Sequence, residues 1–337
     1  MKKWLASFLL LTMSLMIVAC NTTDEGQEEK EQKDEMIKVN MASWSQPITE
    51  QTNLLVEEEK GFFKEEGIDL TFIPGAGGGD AIKNVLAGNA DIAFTDAGSF
   101  FSALNQGEDL VSIYNIYPQN VFNVVAKKSS GIEKPEDLKG KKIGVYSLAS
   151  GTRENLLILL HTAGLTEEDV DIVETGLLNF APLMQDQVDA TAATDTGLYL
   201  GEQKGLEDYN VMEVRDYLNF SSDMFVVTRD VYDNHKEELQ AFLRAFQKSA
   251  QWMLDHPEEA ATLAKQFAID GQDEEQNRAI IDIRNISSVQ EGHDLGYTDL
   301  DDMQQAIDVY EELGLIDQPI DITKHMTNDL LPTGDDE

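Results

Sequence analysis

Ala87–Phe94 reads AGNADIAF: a glycine just past a helix, a turn of small residues, an aspartate, then an apolar strand. The helical pattern before it, Asp80–Ala87, is ended by Gly88, because glycine takes the left-handed backbone a helix stop needs. Ala90–Phe94 is then a short buried strand. Roughly a hundred residues later, Asp186–Ala193 reads DQVDATAA and repeats the arrangement, with a helix over Phe180–Gln185 and a strand over Asp189–Ala193. Two similar units so far apart predict two lobes of one plan, and their interval is too long for a solenoid.

The pattern continues outward from this pair. Ile37–Met41 alternates and reads as a strand; Ile68–Ile73, Lys141–Tyr146 and Val170–Thr175 share that character. Helices are predicted at Gln51–Lys60, ended by Gly61, and at Arg153–Ala163. Such alternation implies an α/β architecture with largely parallel sheets. After Asp230 the chain turns helical. His235–Asp255 places Leu239, Phe242, Leu243, Phe246, Ala250, Met253 and Leu254 on one face, which is core spacing. Pro257 opens another helix, and Asp273–Ile286 and Thr298–Leu313 follow, with Thr298 and Asp299 suited to capping the last.

The chain has 337 residues, 63 acidic and 25 basic side chains, a formal charge of −38 and one cysteine, Cys20. This balance excludes routine binding to nucleic acid, which needs basic side chains against phosphate. One cysteine excludes internal disulfides and Cys-rich zinc sites. Lys2 and Lys3 precede an apolar run, Leu5–Val18, too short for the ~20 residues of a spanning helix, so it reads as a secretory signal. The run ends Ile17-Val18-Ala19-Cys20, which resembles a bacterial lipobox and implies a lipid on Cys20. Loss of residues 1–19 removes Lys2 and Lys3 alone among charged groups, leaving 23 basic against 63 acidic side chains, or −40. Residues 20–36 form an acidic linker with almost nothing to bury.

GFFKEEGIDL (Gly61–Leu70), AGNADIAF, SGIEKPEDLKGKKIGV (Ser130–Val145) and DQVDA resemble the extracytoplasmic solute-binding proteins of ABC importers, in the group that binds sulfonates, nitrate and thiamine precursors. Trp44 resembles the tryptophan after the first strand in that group; Asp186 stands where a glycine is usual. The resemblance implies a two-lobed type II periplasmic-binding-protein fold: lobe one from 37–127 and 222–337, lobe two from 128–221, with crossings near Lys128–Gly131 and Phe220–Asp223. It also implies a monomer on a lipid anchor that captures a small molecule without a cofactor and delivers it to permease and ATPase subunits.

Ligands of open α/β sheets gather beyond the strands' carboxyl ends, where helix N-termini offer free N–H groups. Pro74–Asp80 is one such loop: Gly77 and Gly78 allow a ligand close approach to the backbone, or the loop is a flexible turn with Asp80 as N-cap, and the two readings are compatible. It is neither a dinucleotide fingerprint nor a P-loop. Ser147–Thr152, leading into Arg153, is another: Ser150, Gly151, Thr152 and Arg153 either bind a ligand oxygen or, at Ser150 or Thr152, simply cap the helix. Asp96 with Ser99, and Asp195, follow the two echoed strands; each aspartate either caps a helix or accepts from an amine. Trp44 either stacks on a flat ligand or packs between lobes, and Tyr117 is a further candidate. Histidines show no HExxH spacing and no GxSxG elbow is present, so neither a metal nor a catalytic residue is expected. The ligand expected is a small heteroaromatic such as a thiamine-precursor pyrimidine. The alternatives are an oxyanion or, on the same fold, an enzyme like the pyrimidine synthases. That last class is set aside because a lone Cys20 cannot supply the added cysteine and histidine chemistry those enzymes resemble.

Overall fold

The computed structural model describes residues 36–176 and 180–332. The signal segment, Cys20 and linker residues 20–35 lie outside the described residues. Among the described residues, ten strands form two five-stranded sheets: β1 Ile37–Ala42, β2 Ile68–Ile73, β3 Ile92–Asp96, β4 Leu110–Tyr117, β5 Phe122–Lys127, β6 Lys142–Val145, β7 Asp171–Glu174, β8 Ala190–Thr194, β9 Tyr209–Glu213 and β10 Asp223–Thr228. The first sheet runs β2-β1-β3-β10-β4 and the second β7-β6-β8-β5-β9. Each has a parallel trio followed by a reversed strand that comes from beyond its own half: β10 is antiparallel to β3 and β4, and β5 to β8 and β9. The echo in sequence is this shared strand order.

β5 pairs only within the second sheet, so the chain crosses between Tyr117 and Phe122 and not near Lys128–Gly131. It returns through residues 214–222, between β9 and β10. Sequence periodicity misses β4, β5, β9 and β10. β4 is buried at every position, so it lacks the polar alternation of a half-exposed strand. Gly61 and Gly88 have φ of +72° and +71°, and helices stop there as expected. The predicted helix Gln51–Lys60 is broken at Val56 into Thr52–Leu55 and Glu57–Lys60.

Asp186 holds the left-handed backbone expected of a glycine, with φ of +57°. Aspartate tolerates this region better than bulkier residues. Its carboxylate meets Lys127 Nζ at 2.8 Å, which ties the turn to β5. In the first lobe, the helix Lys236–Asp255 lays Phe242 and Phe246 edge-on against Phe225 of β10, with centroids 5.1 and 4.6 Å apart. Such pairs add about 0.5–1.5 kcal/mol beyond burial, and they anchor β10 beside the cleft.

Candidate functional site

A cleft of about 850 Å³, its mouth included, opens where the carboxyl ends of both parallel trios meet. Trp44 follows β1, Gly77 and Gly78 follow β2, and Asp96 ends β3. From the second sheet come Tyr146 and the Ser150–Thr152 loop after β6, Gly176 after β7, and Thr194 and Thr196 around the end of β8. Phe122 and Asp223 enter where the chain passes between sheets. Of the sequence candidates, Trp44, Gly77, Gly78, Asp96, Ser150, Gly151 and Thr152 line this space.

Close approach explains the glycines, between the lobes at Gly77 and within a lobe at Gly78 and Gly151. Gly79 N–H donates to Ala149 C=O at 3.1 Å, and Ser147 Oγ donates to Ala76 C=O at 2.5 Å. A Cβ on Gly77, whose φ is +138°, would lie 2.1 Å from Ala149 O; one on Gly78 would lie 2.2 Å from Asp96 Oδ2. One on Gly151 would lie 2.6 Å from the Phe122 ring. Helix Gly78–Leu86 therefore begins at Gly78, and Asp80 sits in its first turn instead of capping it.

Asp96 caps helix Ala97–Asn105, accepting from Ser99 N–H and Ser99 Oγ, both at 2.8 Å, and it still borders the cleft. Burial raises its carboxyl above the usual range, while the donors of Ser99 and Gly151 pull it back. Ser99 itself stands behind Asp96 and does not line the cleft. Ser150 Oγ and Thr152 Oγ1 are 2.7 Å apart, and Thr152 accepts Tyr146 N–H at 2.9 Å, so these hydroxyls first brace their own loop. Arg153 turns away to Glu154 at 3.1 Å and Glu167 at 2.5 Å. Asp195 also falls outside the lining: Thr194 caps the helix Asp195–Gln203, and the Asp195 carboxylate is taken by Arg284 at 2.6 Å.

Sequence reasoning missed Arg284, along with Glu50, Asp223 and Asp270. Arg284 is 1% exposed on the helix Glu274–Ser288. Its Nε donates to Glu50 Oε2 at 2.8 Å, its Nη2 to Thr196 Oγ1 at 2.8 Å, and its guanidinium lies 4.9 Å from the Tyr117 ring centre. Burial opposes its charge, but Asp195 and Glu50 outweigh that and hold the proton. Tyr117 thus supports the cation from behind and is absent from the cleft lining. The signal was available: Asn277, Ile280, Ile281 and Arg284 share one helical face, and an arginine among buried residues requires a carboxylate partner. Glu50 had no such signal.

The remaining walls are apolar or aromatic: Ile48, Phe122, Leu200 and Ile280, with Trp44 and Tyr146 meeting at 84° and 6.2 Å across the lobes. Two buried polar atoms of lining residues, Trp44 Nε1 and Glu50 Oε1, make no hydrogen bond among the described residues. Asp270 borders the cleft as well, accepting from Thr49 N–H and Oγ1 at 2.8 Å.

Two lobes, each with the same strand order and joined by two crossings, define the type II periplasmic-binding-protein fold. Residues 48–260 match the family described as NMT1/THI5 like, and the chain belongs to that family. The periplasmic aliphatic sulphonate binding protein SsuA of Escherichia coli superimposes with a TM-score of 0.66 at 17% identity, covering 88% of this chain and 94% of its own. The riboflavin-binding protein RibY of Chloroflexus aurantiacus is 26% identical over 290 residues, 83% of this chain and 82% of RibY. The formylaminopyrimidine-binding protein of Halalkalibacterium halodurans is 24% identical, covering 74% and 75%.

One expectation is overturned here. A protein of Legionella pneumophila named 4-amino-5-hydroxymethyl-2-methylpyrimidine phosphate synthase is 26% identical over 221 residues, 63% of this chain and 68% of its own. Similarly named proteins of Saccharomyces cerevisiae match at 23% identity. Relatives with an enzyme's name remove the ground for placing this chain outside the enzymes. The lone-cysteine argument judged the chain by one set of side chains, and kinship does not follow that line.

Proposed function

We propose that this chain is an extracytoplasmic solute-binding protein of an ABC importer, held at the membrane by a lipid on Cys20, and that its ligand is a flat nitrogen heterocycle of the thiamine-precursor pyrimidine type. One observation carries the ligand class. Among the described residues, the cleft joins aromatic walls to four carboxyl residues, Glu50, Asp96, Asp223 and Asp270, while its single cation, Arg284, is already paired with two carboxylates. A sulfonate or nitrate would meet net negative charge there; a ring bearing N–H groups meets acceptors. The names of the riboflavin- and aminopyrimidine-binding relatives support the same chemistry. Lobe closure around the ligand is the motion that such a fold uses.

Calorimetry with 4-amino-2-methylpyrimidines, riboflavin, a sulfonate and nitrate tests the reading. An aminopyrimidine should bind, and Trp44→Ala should weaken it by about 1–3 kcal/mol. Binding of the anions alone would refute the ligand class, and binding of none would refute capture. Mass spectrometry after long incubation reads whether the bound compound is returned intact. Cys20→Ser should release the protein from the membrane fraction; retention would refute the anchor.

A further inference from the structure

Of the carboxyl side chains that line the cleft among the described residues, Glu50 pairs with Arg284, Asp96 caps a helix and Asp270 accepts from Thr49, while Asp223 has none of these roles. Asp223 opens β10, directly opposite Asp96 in the antiparallel register with β3, and Ala97 N–H donates to Ser222 C=O at 2.9 Å beside it. Both aspartates are buried and both line the cleft. They are not equivalent. Asp96 is committed to Ser99 N–H and Oγ, donors that favour its ionised form. Its neighbour across the register shares the same low-dielectric corner, and two adjacent buried carboxylates do not both ionise readily.

We propose that Asp223 is the specificity residue of the cleft, a carboxylic acid whose O–H donates to a ring nitrogen of the ligand while its C=O accepts from the adjacent amino group. This deepens the proposed function and rests on it. A neutral carboxylic acid offers one donor and one acceptor side by side, which is the complement of an aminopyrimidine edge. A carboxylate would offer acceptors only and would face the ring nitrogen lone pair. The groups around Asp223 agree. Burial, then the Asp96 charge, hold its carboxyl well above the ordinary range; Arg284 opposes them, and Glu50 and Asp195 reinforce them. From β4, Tyr117 is its register partner, and burial keeps that phenol protonated. The site therefore selects by hydrogen-bond pattern where the rest of the wall selects by shape.

The test is calorimetry on the whole protein with 4-amino-2-methylpyrimidine and, as control, 2-methylpyrimidine, which lacks the amino group. Wild type should prefer the amino compound. Asp223→Asn keeps a donor and an acceptor, so it should bind within about threefold of wild type and keep that preference. Asp223→Leu should bind the amino compound roughly tenfold or more weakly and lose much of the preference over the control, which has only the ring nitrogen to offer. Melting curves identify any variant that fails to fold, and the wild-type comparison of the two compounds needs no variant. Equal affinity of wild type and the Leu variant for the amino compound would overturn the assignment, as would equal binding of the two pyrimidines by wild type. If wild type bound neither pyrimidine, the ligand class itself would fall and this assignment with it.

Discussion

Arg284→Met should be among the most destabilising single changes in the chain. The guanidinium it removes is 1% exposed and holds Glu50 at 2.8 Å, Asp195 at 2.6 Å and Thr196 at 2.8 Å. The two carboxylates will not suffer equally. Asp195 is 29% exposed and can hydrate, so that half of the network is worth about 0–1 kcal/mol. Glu50 is 4% exposed and keeps only Thr196 Oγ1 at 2.9 Å as a donor to Oε2. A buried carboxylate stripped of its cation costs about 3–5 kcal/mol, so Glu50 sets the total. Methionine fills similar volume, which removes a cavity as the explanation. Urea unfolding at pH 8 should therefore show a loss near ~4 kcal/mol for the single variant. The double variant Glu50→Gln/Arg284→Met should recover at least half, because the orphaned charge is gone. A single variant within ~1 kcal/mol of wild type, or a double variant no better than the single, would refute the account.

Three further outcomes follow from the same geometry. Burial pushes Glu154 up to about 7 from an ordinary 4.5, with Arg153 opposing, so the proton it holds stabilises the fold fully below about pH 4.5 and that contribution fades as pH rises through about 7; over that window wild type should lose up to ~3 kcal/mol that Glu154→Gln does not, and parallel pH profiles of melting temperature would count against it. Gly77→Ala puts a methyl group 2.1 Å from Ala149 O at a backbone of φ +138°, so it should hold the lobes apart, increase the radius of gyration in solution scattering and weaken ligand at least tenfold; unchanged scattering and affinity would remove the close contact from the argument. A charge of −38 repels itself, so the melting temperature should rise from low salt to about 0.5 M as screening shortens to a few ångströms, and a steady fall would refute self-repulsion as a cost.

What was legible in the sequence was local. A glycine past a helix announces its φ, and Gly61 and Gly88 stop helices as read. The apolar face of Lys236–Asp255 announces burial, and the loops after β2, β3 and β6 were found because ligand clefts form at strand ends. What escaped depends on pairing. β4 and β10 carry no alternation because both their faces are covered, a fact that belongs to their neighbours. Asp195 and Arg153 look alike in sequence as charged residues at a helix start, yet each is consumed by an ion pair, one of them with a residue 89 positions away. A charge is available to a ligand only after the partners claiming it are known.

That rule bears on how capture and closure are joined. Glu50 and Arg284 stand with the first sheet's half, Asp195 and Thr196 with the second, and Glu50, Thr196 and Arg284 also line the cleft. Some of the bonds that hold the lobes together are thus made by side chains that line the cleft. Glu50 divides its two oxygens between these tasks: Oε2 serves Arg284 and Thr196, and Oε1 makes no hydrogen bond among the described residues. A ligand N–H donating to Oε1 would satisfy a buried acceptor whose desolvation costs about 1–3 kcal/mol when unmet. That gain exists only while the lobes are closed and Glu50 is buried, so it adds to affinity and to closure as one quantity. Glu50→Gln should accordingly lower affinity and the closed population together, and a fall in affinity that leaves the ligand-free distribution of lobe angles where it was would remove the coupling.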